Sequence, residues 1–147
     1  MTDNNNQIRI TEDAFEIEQT LVRYAPLFSR LNESGIRELA EKYSKHGKVI
    51  LFGEDNENCG FAAFYCNNAN DKVAYLSLIA TAEDMQRKGI GKRLIDEVQR
   101  ISAEAGMEKL RLEVNNANSK AISFYIKNGF RLEKPASEHT QYLIKNI

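Results

Sequence analysis

Gln86-Arg87-Lys88-Gly89-Ile90-Gly91-Lys92-Arg93 places two glycines among Arg87, Lys88, Lys92 and Arg93, with no carboxylate in the segment. An apolar strand pattern precedes it and an amphipathic helical pattern follows, so these residues open a helix. The chemistry they can do is anion binding. Glycines let the backbone bend closely around a ligand, and the free N–H groups and dipole of a helix start favour negative charge. A P-loop is excluded, because it needs an earlier glycine and a Ser or Thr after the lysine, where this chain has Arg93. A dinucleotide fold wants its first glycine directly after the strand and a third for helix packing. Here Thr81 to Lys88 intervene and Leu94 takes the third place, although Glu113, ending a later strand, could mimic the ribose-binding acid. Taken alone, the segment also reads as an ordinary glycine turn with a solvated basic face.

A second constellation lies downstream, in which Asn118, Ala121, Tyr125, Gly129 and Phe130 fit the pattern N-x-x-A-x-x-x-Y-x-x-x-G-F. With Gln86, Gly89 and Gly91 fitting Q/R-x-x-G-x-G/A in the expected order, the chain resembles the GNAT N-acetyltransferase superfamily, closely from Val73 to Phe130 and more loosely over its whole length. The resemblance implies acetyl-CoA as co-substrate, with no metal. It implies main-chain groups of Ile79 and Thr81 along the pantetheine arm, and a pyrophosphate held at Gln86, Arg87, Lys88, Gly89, Ile90, Gly91 and Lys92. Asn118 would touch the arm while capping its helix. Members often carry a proline in the connector before the glycines; this chain has Thr81-Ala82-Glu83-Asp84-Met85.

The reaction so implied is direct attack of an amine on the acetyl thioester. An acceptor lysine has a pKa near ~10.4 and an α-amino group near ~7.7 to 8.0, so a protonated amine must first lose a proton. Glu113 is the leading base: its strand end and its spacing to Tyr125 resemble those of ribosomal-protein-type N-terminal acetyltransferases. The competing reading is a strand-end carboxylate paired with Arg111 or a lysine. By resemblance, Tyr125 would protonate the leaving thiolate; without its motif it would read as a core tyrosine. The acceptor would be a primary amine of a small molecule, an amino sugar or a protein. Its pocket is expected from Pro26 to Ser34 and Lys134 to Thr140, with Phe28, Arg30 and His139 as lining candidates. An inactive acyl-CoA-binding module is the alternative, and a nucleotide-binding protein using the glycines alone a third reading.

Composition agrees with one domain over residues 1–147, since 147 residues with 42% hydrophobic content can bury a core. A net charge of −1 and a pI near 6.2 give no general footprint for nucleic acid. No apolar run is long enough to span a bilayer, and Met1 to Gln7 is polar rather than a secretory signal, so the cytoplasm is the expected location and residues 1–6 are expected to be disordered. Cys59, Cys66, His46 and His139 form no metal-ligand spacing, and the cysteines read as free thiols.

The elements that must position these residues follow from periodicity. Strands are expected at Gln7 to Thr11, Lys48 to Phe52, Gly60 to Tyr65, Val73 to Ala80, Lys109 to Val114, Phe130 to Glu133 and Gln141 to Ile144. Helices are expected over Glu12 to Ala25, around Ile36 to Tyr43, from Ile90 towards Gly106, and between Asn118 and Gly129. The fold class is α/β (α+β), a GNAT-like mixed sheet of six to seven mostly antiparallel strands with a parallel splayed pair in the middle and helices on both faces. Strand, helix, parallel strand, helix brings both motifs to one cleft at the carboxyl ends of the central strands. Edge strands at either end of the sheet leave room for a homodimer or for blunting by loops.

Overall fold

The computed structural model describes residues 7–28, 31–54, 57–86 and 88–147; the expectation for residues 1–6 lies outside them. The strands are β1 (Ile8–Thr11), β2 (Lys48–Glu54), β3 (Glu57–Tyr65), β4 (Val73–Thr81), β5 (Lys109–Asn115), β6 (Arg131–Pro135) and β7 (Thr140–Asn146). The helices are α1 (Ala14–Tyr24), α2 (Glu33–His46), α3 (Ile90–Glu104) and α4 (Ser119–Lys127). Asp13 starts α1 by accepting the Phe15 N–H at 3.0 Å. The helix ends where Pro26 forces a tighter turn over Ala25–Leu27, and Asn32 starts α2 through the Gly35 N–H at 3.0 Å. No described helix is long and apolar enough to cross a membrane.

The seven strands form one sheet in the order β1-β2-β3-β4-β5-β7-β6, with β4 central and β4–β5 the parallel pair. Ile17, Leu21, Ile36, Ala40 and Tyr43, spaced one turn apart on α1 and α2, pack on Val49, Leu51, Phe61, Ala63 and Ala80. On the other face, Ile90, Leu94, Ile95 and Val98 of α3 pack on Phe64, Leu76, Leu110, Leu112 and Leu143, with Ala121 and Ile122 of α4 beside them. The α1/α2 layer stops at β4. The same face of β5 and β7 carries Arg111, Glu113 and Tyr142 beside the buried Ile144.

The sheet departs from regularity in β4. Ala63 of β3 pairs with Leu78 and the next residue, Phe64, with Leu76, so Ser77 is an extra residue in β4. Leu76 therefore packs on the α3 side, Leu78 and Ala80 on the α1/α2 side, and Ile79 again on the α3 side. A run of apolar residues carries no period that this insertion could interrupt, so the bulge leaves no trace in the sequence pattern. Pairing of β4 with β5 covers Val73 to Leu76 against Lys109 to Leu112 and goes no further, although both strands continue.

Candidate active site

Beyond Leu76 and Leu112 the two central strands frame a gap, and the direction of their peptide groups follows from register. The Ala82 N–H donates to the Cys59 carbonyl at 2.9 Å, which makes Cys59 and Ala82 a hydrogen-bonded antiparallel pair. Such pairs alternate with pairs whose peptide groups turn outward. The main chains of Thr81 (opposite Gly60) and Ile79 (opposite Ala62) thus face away from β3 and into the gap. Across it, the Asn116 N–H donates to the His139 carbonyl at 2.9 Å, so by the same alternation Asn115 and Glu113 also present peptide groups to the gap. The structure places the main chains of Ile79 and Thr81 on one side of the gap and those of Glu113 and Asn115 on the other, the latter pair following only from the β5–β7 register.

At the mouth of the gap, Gly89 precedes α3 with φ of 78°, in the left-handed region, and offers no side-chain cap. The first helical bond runs from the Arg93 N–H to the Gly89 carbonyl at 3.1 Å, so the N–H groups of Ile90, Gly91 and Lys92 have no acceptor within the helix. The Ile90 side chain is buried in the core, leaving its N–H as the group available here. At Gly91 a Cβ would meet Cζ of Phe124 at 2.9 Å, so its smallness also lets α4 close on α3. Of the cations, Lys92 bonds Asp96 one turn on at 2.8 Å, a carboxylate just beyond the segment first singled out. Arg93 turns to Gln7 at 2.8 Å and lies 4.8 Å over the Phe52 ring. Gln86 and Lys88 are exposed, and Arg87 lies outside the described residues.

Asn118 caps α4, accepting the Ala121 N–H at 3.1 Å. One helical face further along, the Tyr125 ring stands edge-on to Phe124 and Phe130, with centroids 5.4 and 5.7 Å away. Burial pushes its phenol up to about 12, because the phenolate would lose its water. Glu113 is half-buried on the opposite face of β5 from Leu112 and Val114, beside Tyr142 of β7. Its expected competitor pairing with Arg111 is absent: that guanidinium grips both carboxylate oxygens of Glu133 at 2.7 and 2.8 Å and lies 5.4 Å over the Tyr142 ring. Among the described residues Glu113 has no ion pair.

The α1–α2 connection brings Phe28 edge-on to Phe61 at 6.3 Å, and Tyr24 donates to the Asn58 side chain at 2.9 Å. Burial raises the Tyr24 phenol, against the opposing pull of the neighbouring Arg23 guanidinium. Arg30 lies outside the described residues, and His139 is exposed on the β6–β7 turn, 4.0 Å from Glu138. A cavity of about 500 Å³ lined by Glu12, Ser44, His46 and Cys66 lies at the other end of the sheet and contains none of the predicted site residues.

Residues 12–130 match the sequence profile of the Acetyltransferase (GNAT) family. A spermidine N(1)-acetyltransferase of Thermoplasma acidophilum is 33% identical over 122 residues, 75% of this chain and 74% of that protein. The chloroplastic GCN5-related N-acetyltransferase 7 of Arabidopsis thaliana is 38% identical over 60 residues, and this chain spans 22% of its length. The crystal structure of the PaiA N-acetyltransferase of Thermoplasma acidophilum in complex with coenzyme A superposes with a TM-score of 0.72 at 25% identity, covering 95% of this chain and 99% of that one. A profile match over most of the length, a relative alike over three quarters of it, and a mixed sheet with one splayed parallel pair agree, and the chain belongs to the Acetyltransferase (GNAT) family.

Proposed function

We propose that this chain transfers an acetyl group from acetyl-CoA directly to a primary amine of a small, cationic acceptor. The observation that carries this reading is the pair of unpaired strand ends, with Ile79 and Thr81 turning their peptide groups towards Glu113 and Asn115 across the gap and the uncapped start of α3 at its mouth. An extended amide-bearing arm is held there as an added strand, and its diphosphate meets the N–H groups of Ile90, Gly91 and Lys92. The amine nitrogen attacks the thioester carbonyl, forming the C–N bond as the C–S bond breaks. Glu113 receives the proton that the amine must shed, and Tyr125 supplies a proton to the departing sulfur. Two further facts support the assignment: the coenzyme A complex of the structural relative, and the acceptor for which the 33% identical relative is named. Exposed Glu83 and Asp84, just after β4, suit a polycationic amine.

The test is thiol release from acetyl-CoA with a panel of spermidine, other polyamines, amino sugars and N-terminal peptides, alongside calorimetry with coenzyme A. Turnover should be greatest with a polyamine. Tyr125→Phe should lower kcat by roughly 10²-fold while leaving coenzyme A affinity within about twofold. Absence of heat with coenzyme A overturns the whole reading. Heat without turnover on any amine leaves the binding module in its place.

A further inference from the structure

Tyr43 is buried to 1% exposure on α2, and its hydroxyl lies 2.6 Å from Oγ of Ser77. Ser77 is the extra residue of the β4 bulge, and it follows directly on Leu76, where pairing with β5 ends. We propose that the Tyr43–Ser77 hydrogen bond holds the bulge in place, so that Tyr43 and Ser77 are positioning residues for the pantetheine arm. The inference rests on the acetyl-CoA reading above. Neither residue faces the gap; both act through the main chain beyond them.

The reasoning is one of register. Along a regular strand, Leu78 and Ala80 would have continued the face of Ala74 and Leu76, and the peptide groups of Ile79 and Thr81 would have turned towards β3. One inserted residue reverses both. It sends Leu78 and Ala80 into the α1/α2 layer and turns the Ile79 and Thr81 peptides outward. A bulge also bends and twists its strand, which accords with β4 leaving β5 at this point. A bulge in an apolar strand can migrate by a residue, because neighbouring positions are chemically alike. A serine at the inserted position breaks that equivalence. Its hydroxyl, half-buried on the α1/α2 side, finds the Tyr43 hydroxyl, whereas a migrated bulge would leave a buried phenol without this partner.

Tyr43→Phe, Ser77→Ala and the double variant test this in the full chain, read by coenzyme A calorimetry, thermal unfolding and amide exchange with and without coenzyme A. Each single variant should weaken coenzyme A binding by about fivefold to tenfold, as for one lost hydrogen bond between neutral groups. The double variant should be no worse than the weaker single one, because both remove the same bond. In the wild type, coenzyme A should slow exchange at Ile79 and Thr81, and each variant should lose part of that protection. Variants that melt earlier yet keep wild-type affinity and protection make the bond merely structural and overturn the inference. Independent, multiplying losses in the double variant also overturn it. A wild type that binds no coenzyme A refutes the acetyl-CoA reading itself, which is a separate outcome.

Discussion

Tyr125 sits where burial fixes what its proton can do. A free thiol ionises near ~8.5 and this phenol near about 12, so giving the proton outright to a thiolate runs uphill by ~3.5 units, roughly 5 kcal/mol. In the proposed reaction Tyr125 would therefore share its proton with the sulfur as charge develops and surrender it only as another arrives from the amine. A phenol protonated throughout the neutral range also adds no alkaline limb below about pH 10. The acidic side belongs to the amine, which must lose its proton before it attacks. Glu113→Gln is expected to cut kcat/KM by about 10²-fold at a pH below the acceptor pKa, with the loss shrinking towards high pH where the amine is already neutral. Measuring kcat/KM for both proteins from about pH 7 to 11, a range that crosses the ~10.4 of a lysine-like amine, checks this, and a uniform loss across that range would assign Glu113 a structural role. The Asn118 to Phe130 spacing singles out Tyr125 in the sequence as the candidate acid. The freedom of Glu113 was not legible, because it depends on Arg111 choosing Glu133, 22 residues on and two strands away.

At the scale of elements, α3 and α4 meet through Gly91 and Phe124, and Phe124 in turn abuts Tyr125. Gly91→Ala sets two effects against each other. Alanine favours the helix by up to about 1 kcal/mol, while its methyl, 2.9 Å from the ring, forces Phe124 to move. Stability should thus change by less than about 1 kcal/mol, but turnover should fall about tenfold as Tyr125 shifts with its neighbour. Gly91→Ala with Phe124→Leu, which vacates the contact, should recover most of that loss. If the double variant is no better than the single one in kcat, the contact does not position Tyr125. Helices and strands were legible here because burial repeats at their own periods, as in Ile90, Leu94, Val98 and Leu110, Leu112, Val114. The use of Gly91 was not, since a glycine that receives a ring and one that hugs a ligand look alike in a chain of letters.

Over the whole molecule, the order of the last strands decides how the open end of the sheet is held. β7 lies between β5 and β6, and Arg111 reaches across it over the Tyr142 ring to Glu133, tying three strands on the face that α1 and α2 leave uncovered. The Arg111 guanidinium holds the Glu133 carboxyl below its ordinary value of 4.5. A carboxylate whose pKa is lower in the folded than in the unfolded chain contributes stability that is complete above the unfolded value and fades as pH falls through the folded one. At the other edge, Arg9 holds Glu16 down to about 2 in the same way, so that contribution persists into stronger acid. Glu133→Gln should therefore destabilise the fold at pH 7 by about 1 kcal/mol, a figure reduced from that of a fully buried charged hydrogen bond because water reaches both groups. Urea unfolding of the two proteins should show that difference narrowing below about pH 4.5 and vanishing as Glu133 is protonated in both states. A difference that stays constant down to pH 3 would mean that the glutamine disturbs packing where β6 shifts register against β7 between Leu132 and Lys134, and that the ion pair does not secure this end of the sheet.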